Sequence, residues 1–245
     1  MGLQTLPNPS FPYSPEFRRF AVNRDRRDKI SQEKDAVILP LLSAIDIESP
    51  SDFHAIIMPC LYGPEAYVLV ERGVPAANIF AIERDHLIHR EIRECKRTDR
   101  FPLAGMSTTQ VPMSASSALD RSFVLADEFD LIYLDFFAQP EYKTHYCQTI
   151  RKIFELRMLK NNGTLILNFG KARCHKKGIA DLNVRLLSQF ADSEIAHVPT
   201  KILVYAALYE TKHPPPVSVS DYLYESHAGR SNKKYVTTVV NFSGE

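Results

Sequence analysis

One turn in the sequence has the residue types of a loop whose backbone approaches a ligand closely. The apolar run Phe53–Met58 is typical of a strand buried on both faces, and Pro59-Cys60-Leu61-Tyr62-Gly63 follows it. Gly63 has no side chain to block the approach, and a helix opening at Pro64 or Glu65 would present free backbone N–H groups. Because the turn holds a single glycine, an ordinary strand-to-helix connection is the alternative interpretation.

An acidic residue follows the second apolar run at the spacing of a ribose ligand. Glu83 comes after the run Asn78–Ile82 and lies about 20 residues beyond Gly63. A carboxylate at the end of a second strand can accept hydrogen bonds from both ribose hydroxyls of a nucleoside. The alternative is that Glu83 caps the next helix near its positive end. Together with the Gly63 turn, the position favours nucleoside binding.

A third apolar run ends in an acid followed by two aromatic rings. Asp135 closes the run Leu131–Leu134, and Phe136 and Phe137 come next. Since the carboxyl ends of parallel strands meet at one edge of a sheet, we expect Asp135 near Glu83. Asp135 would orient a substrate amine or the amino-acid part of a cofactor, and the rings would flank a flat ligand. The alternatives are a helix cap and a core aromatic pair.

Two basic stretches suggest a phosphate-bearing partner. Arginine and lysine supply most of the backbone affinity for nucleic acids, so we predict DNA or RNA as a partner, with a solvated surface as the alternative. The residues concerned are Arg18, Arg19, Arg26 and Arg27 near the start of the chain, and Lys171, Arg173, Lys176 and Lys177 after a later strand.

Hydrophobic periodicity predicts strands alternating with helices, which build a mostly parallel sheet with helices on both faces. The predicted strands are Phe53–Met58, Asn78–Ile82, Leu131–Leu134 and Thr164–Phe169, the last after a turn at Asn161–Gly163. The predicted helices are Ile30–Ile47, Glu65–Arg72, His86–Arg97, Glu141–Leu159 and Ile179–Phe190. An antiparallel pair, Lys201–Tyr209 with Tyr235–Phe242, is expected to close a Rossmann-like α/β domain over residues 51–245, after a basic arm and helix over residues 1–50.

The composition of the chain says more about where the protein is located than about what it binds. The net charge of +1 selects no partner by itself, and 44 % hydrophobic residues are ordinary for a globular protein. The four cysteines show no C-x-x-C spacing, which predicts reduced thiols and no metal site. Without a secretory signal or an apolar stretch of about 20 residues, we expect a cytoplasmic protein with no membrane contact. The oligomeric state is left open.

Three segments resemble the motifs of class I S-adenosylmethionine-dependent methyltransferases. They are IIMPCLYGPEAYVLVERGVPAANIFAIERD, DLIYLDFFAQP and NNGTLILNF, and the resemblance covers about residues 53 to 210. It implies a Rossmann-like fold whose sheet ends in a reversed strand, with S-adenosylmethionine as the cofactor. It further implies that Cys60 and Gly63 wrap the methionine part, Glu83 holds the ribose, and Asp135 with its following rings borders the transferred methyl group.

The segments depart from the family pattern in ways that affect the substrate prediction. Met58 stands where the family loop has an acid, and Phe136 and Phe137 stand where amino-group nucleic-acid methylases have prolines. A polar residue after the third strand would meet the adenine amino group, with Ser114, Ser116 and Asp120 as open candidates.

The resemblance and the basic stretches together predict methyl transfer to a nucleic-acid base or another phosphate-bearing substrate. The alternative is a catalytically inactive methyltransferase-like binding or structural module. A nicotinamide-dependent oxidoreductase fits poorly, because Gly-x-Gly-x-x-Gly is absent from the sequence.

Overall fold

A computed structural model describes residues 37–59, 64–95, 105–109, 112, 114–122, 128–136, 145–170, 204, 207–208, 211–212, 216–226 and 233–242. The strands are β1 (Ala55–Ile57), β2 (Ile79–Ala81), β3 (Ser107–Thr108), β4 (Phe129–Phe136), β5 (Leu159–Gly170), β6 (Ser218–Ser226) and β7 (Lys233–Asn241). The helices are α1 (37–44), α2 (Pro64–Glu71), α3 (His86–Cys95), α4 (Ala115–Ser122) and α5 (His145–Glu155). Short 3-10 helices cover Pro50–Asp52 and Ala76–Asn78.

The strands form one seven-stranded sheet in the order β3-β2-β1-β4-β5-β7-β6. Strands β1 to β5 are parallel, and β7 is antiparallel to both of its neighbours, β5 and β6. It follows that β6 runs in the same direction as β5 and that β7 is the reversed strand. The predicted fold class, a mostly parallel sheet with an antiparallel pair at the C-terminal end, is confirmed.

Alternation along β4 places a hydrophobic core on each face of the sheet. Ile132 and Leu134 pack on the side of α4 and α5, whereas Leu131 and Tyr133 pack on the side of α1, α2 and α3. Successive residues of a strand point to opposite faces, so each buried strand contributes to both cores. The nearly continuous apolar composition of β1 and β4 has this cause. Helix α1, predicted as part of the N-terminal segment, contributes Ile38 and Leu42 to the second of these cores.

Helices α2 and α5 end in the same backbone arrangement. The N–H of Val74 donates to the carbonyl of Leu69 at 3.1 Å, and the residue before it, Gly73, has φ +90°. After α5 the corresponding 3.0 Å bond joins Met158 to Ile153, and the left-handed residue is Arg157, with φ 48°. Both are Schellman motifs, in which a left-handed residue lets the last carbonyls of the helix find donors.

The prediction of a strand at Lys201–Tyr209 is wrong. Its described residues, Val204, Ala207 and Leu208, are helical and buried in the core on the α4 and α5 side. Spacings of three and four residues put all three on one face of a helix, which an apolar run permits as readily as a strand. The partner of β7 is instead β6, which lies in the chain between the two predicted strands.

The prediction of a turn at Asn161–Gly163 is also wrong, because these residues lie inside β5. The register with β4 shifts between Phe129 and Leu131, so the extra residues form a bulge rather than a turn. A Cβ on Gly163 would lie 2.9 Å from the Lys160 carbonyl oxygen, so the bulge is too tight for any side chain. Strand β5 begins at Leu159 rather than at the predicted Thr164. Helix α5 ends at Glu155, four residues before the end of the predicted helix.

Candidate functional site

The order of the strands reverses between β1 and β4. Strand β1 lies between β2 and β4, and the chain reaches β4 only after completing β2 and β3 on the other side. The parallel ladders extend past the strand ends, because Met58 N–H donates to Tyr133 O at 3.1 Å and Ile82 N–H donates to Ile57 O at 2.9 Å. In open α/β sheets, ligands bind outside the carboxyl ends of the strands at such a switch point.

Glu83 lies directly beyond the carboxyl end of β2, beside β1. Its side chain is half-buried, and Oε1 accepts a hydrogen bond from the backbone N–H of Asp85 at 2.7 Å. The carbonyl of Asp85 in turn accepts the N–H of His89 at 2.9 Å, in the first turn of α3. The carboxylate thus shapes the turn into α3 by accepting an N–H that precedes the helix, and its position at the sheet edge fits ribose binding.

Asp135 lies near the carboxyl end of β4, on the face covered by α1, α2 and α3. The side chain is 6 % exposed, and its Oδ1 accepts a hydrogen bond from Asn168 Nδ2 at 2.7 Å. Strands in a sheet lie about 4.8 Å apart, so β1 separates β2 from β4 by roughly 10 Å. Glu83 and Asp135 therefore lie near the carboxyl ends of the two strands on either side of β1.

Phe136 points to the opposite face of the sheet from Asp135, because adjacent strand residues alternate. It is 3 % exposed and packs against Phe169 in the core on the α4 and α5 side, with ring centroids 5.0 Å apart. The structure therefore gives Phe136 a core position and does not bring its ring together with the Asp135 carboxylate. The ligand-flanking role of this ring stays a prediction.

Other predicted site residues lie outside the described residues. These are Cys60, Gly63 and Phe137, and the basic residues Arg18, Arg19, Arg26, Arg27, Lys171, Arg173, Lys176 and Lys177.

Among the three candidates for the adenine contact, the structure describes the side chain of Ser114. This residue precedes α4, and its Oγ lies 3.4 Å from the N–H of Ser117, so Ser114 acts as the N-cap of that helix.

The edge beyond β3 is joined to α3 by a buried contact. His89 is almost fully buried, and its Nε2 lies 2.8 Å from the carbonyl oxygen of Thr109, which follows β3.

Within the described part of the chain, no three His, Cys, Asp or Glu side chains are grouped so as to hold a metal ion. None of the described helices has the length and apolar character needed to cross a bilayer.

Comparison with solved structures identifies the architecture. Neither a protein-family model nor a curated protein sequence matches the chain. The structure of a geranyl diphosphate methyltransferase in complex with GPP and sinefungin superposes with a TM-score of 0.51 at 10 % identity, covering 84 % of this chain and 77 % of that one. The chain has the class I methyltransferase fold.

Two further solved structures are similar to the chain. One is M. jannaschii TYW2 in complex with AdoMet, with a TM-score of 0.48, 13 % identity, and coverage of 85 % of this chain and 76 % of that one. The other is a protein from Pyrococcus horikoshii OT3, with a TM-score of 0.48, 13 % identity, and coverage of 94 % and 100 %.

Sequence reasoning missed two buried polar residues that are linked to Asp135, namely Asn168 and Thr237. Asn168 contacts Asp135, and the Thr237 hydroxyl donates to Asn168 Oδ1 at 3.1 Å. One signal was present, because Asn168 is the single polar residue within the apolar run Leu165–Phe169. Buried polar side chains need hydrogen-bond partners, so such a residue marks a specific contact.

Proposed function

We propose that this protein binds S-adenosylmethionine and transfers its methyl group to an acceptor. The observation that carries the proposal is the placement of two acids, Glu83 and Asp135, on either side of the β1 edge, at the switch point of a methyltransferase fold. An adenosine ligand presents ribose hydroxyls, which are donors, and a half-buried carboxylate offers the acceptors they need. The residues present therefore fit the cofactor.

In this proposal the protein contributes binding and orientation, and the cofactor supplies a methyl group activated on a positively charged sulfur. Glu83 accepts the ribose hydroxyls, and the turn containing Cys60 and Gly63 lies against the methionine part. Asp135 accepts a hydrogen bond from the ligand group beside the methyl, either a substrate amine or the amino-acid part of the cofactor. Holding two reactants in line can supply about 7–11 kcal/mol of a barrier, so orientation is the main catalytic device.

The cofactor assignment is tested with Glu83→Gln. Glutamine keeps an oxygen that can accept the Asp85 N–H, so the turn into α3 is preserved, but its other terminal atom is a donor and cannot accept a ribose hydroxyl. Loss of one charged hydrogen bond, about 1.5–3 kcal/mol, corresponds to a loss of affinity of roughly 10-fold to 150-fold. The measurement is calorimetric titration with S-adenosylhomocysteine.

The matched control is Glu71→Gln, the same chemical change at an exposed position that ends α2. Its affinity should equal that of the wild type. Equal losses in the two variants, or none in Glu83→Gln, would remove Glu83 from the cofactor site. If the wild type gives neither heat nor a thermal shift at millimolar ligand, the chain is an inactive binding or structural module with this fold.

The substrate proposed is a nucleic acid, on the strength of the two basic stretches in the sequence. Each phosphate neutralised by lysine or arginine releases counterions. The logarithm of the affinity for a duplex should therefore fall by about 0.9 per phosphate contact for each tenfold rise in salt concentration. Replacing Lys171, Arg173, Lys176 and Lys177 with glutamine should weaken binding of a labelled 20-mer and flatten that slope. A control with Arg93→Gln and Arg157→Gln, at two other exposed positions, should leave the slope unchanged. An unchanged slope in the fourfold variant would point to a small-molecule acceptor.

A further inference from the structure

A row of three polar side chains crosses β4, β5 and β7. Asp135 pairs with Asn168, and Asn168 pairs with Thr237, so the three residues are in register on one face of the sheet. They are 6 %, 1 % and 0 % exposed, on a face where Tyr133, Ile166 and Val239 occupy the adjacent row. Polar groups destabilise a core unless they are hydrogen-bonded, so the links between these three residues are required by their burial.

The direction of the hydrogen bonds follows from the chemistry of the central amide. The Thr237 hydroxyl donates to Asn168 Oδ1 at 3.1 Å, and Asn168 Nδ2 donates to Asp135 Oδ1 at 2.7 Å. A side-chain amide has an acceptor at one end and donors at the other, so anchoring the oxygen at Thr237 turns the nitrogen towards Asp135. The row therefore presents Asp135 with a donor, which suits a carboxylate that acts as an acceptor.

We propose that Asn168 and Thr237 are positioning residues for Asp135: they fix the direction of its carboxylate at the carboxyl end of β4. This inference rests on the proposed function, in which Asp135 accepts a hydrogen bond from the ligand. A short bond at Oδ1 restricts rotation of the carboxylate, and rotational freedom is what orientation must remove before transfer. Thr237 acts one step further away, because it holds the amide that holds the acid.

Strands β5 and β7, which carry Asn168 and Thr237, also provide a matched control. Thr164 donates to Asn241 Oδ1 at 3.0 Å, and these residues are paired across β5 and β7 at the end of the strands remote from Asp135. Thr164→Val therefore removes the same kind of bond as Thr237→Val without touching the row. Thr237→Ser keeps the hydroxyl and serves as the rescue variant, and Asn168→Leu removes the donor at nearly constant volume.

The first readout needs no ligand. The side-chain amide cross-peaks of Asn168 in a 1H–15N spectrum should shift in Asp135→Asn, because the amide N–H then loses its carboxylate acceptor. Thr237→Val should shift the cross-peaks and Thr237→Ser should restore them, while Thr164→Val leaves them in place. Cross-peaks that are indifferent to Asp135→Asn, or to Thr237→Val, would overturn the inference that this row positions Asp135.

The second readout ties the row to the site. Asp135→Asn should lower either the affinity for S-adenosylmethionine or the rate of methyl transfer, and Asn168→Leu should lower the same quantity, by about tenfold, as expected for a hydrogen bond to a charged group. Adding Asn168→Leu to Asp135→Asn should produce no further loss. Equal losses with and without Asp135 would show a merely structural role and overturn the inference. Failure of the wild type to bind S-adenosylmethionine would instead overturn the proposed function, so the two failures are distinguishable.

Discussion

Removing the carboxylate of Asp130 should loosen the amino end of the sheet, opposite the candidate site. Asp130 Oδ2 accepts the backbone N–H of His54, just before β1, and also Lys160 Nζ of β5, both at 2.8 Å. The N–H of Asp130 donates back to the His54 carbonyl at 2.9 Å. One carboxylate therefore joins β1, β4 and β5, and it helps to set the register that carries Asp135 to the other edge.

The two contacts of this carboxylate differ in strength. A hydrogen bond from a part-buried backbone N–H to a charged acceptor contributes about 1.5–3 kcal/mol. The Lys160 ion pair has side chains that are 31 % and 18 % exposed, so solvent screening limits it to roughly 0.2–1 kcal/mol. Asp130→Ala should therefore lower the free energy of unfolding by about 2–3 kcal/mol, and Lys160→Met by less than 1 kcal/mol. Asp130→Asn should fall between them, because its amide oxygen still accepts from His54.

The assay is urea denaturation at low and high salt, with the slope of the transition monitored to confirm that the denatured state is unchanged. Salt should reduce the effect of Lys160→Met and leave most of the effect of Asp130→Ala. If Lys160→Met costs as much as Asp130→Ala, the ion pair dominates and the assignment of strength to the His54 contact is incorrect.

Further predictions concern the helix ends. Gly73→Ala should lower the free energy of unfolding by about 1–2 kcal/mol, because φ +90° disfavours any side chain. Arg157→Gly should raise it by roughly 0.5–1 kcal/mol, because Arg157 has the equivalent left-handed position after α5. Thermal unfolding of both variants checks these opposite signs, and like signs would contradict them. Arg72 donates to the carbonyls of Leu42 and Ile45 at 2.9 and 2.6 Å. Arg72→Met should therefore lower the free energy of unfolding by about 1.5–3 kcal/mol, and Arg72→Lys should lower it by less. Equal stability of the wild type and the two variants in urea would refute this capping role.

The sequence was sufficient to predict the first half of the sheet because its signals there are local. The runs around β1 and β2 are apolar and short, and Gly73 marks the end of the helix between them. The same reasoning failed at Lys201–Tyr209, where the described positions Val204, Ala207 and Leu208 follow helical spacing. A continuous apolar run satisfies both periods, so only packing against the sheet decides between helix and strand.

The candidate site was predictable in its acids and not in its contacts. Glu83 and Asp135 follow apolar runs, so their arrival at one edge follows from parallel strands alone. The contact of Asp135 with Asn168, and of Asn168 with Thr237, depends on the register of β5 against β4 and β7. That register is set by the bulge at Gly163 and by a hairpin whose first strand was not recognised, so the row was outside the reach of local signals.

A structure of the protein with S-adenosylhomocysteine would decide the proposal that Glu83 and the β1 edge hold a nucleoside. We expect the ribose to lie beyond the carboxyl end of β2, with both hydroxyls within hydrogen-bond distance of the Glu83 carboxylate. A ligand bound elsewhere, or a ribose turned away from Glu83, would contradict it.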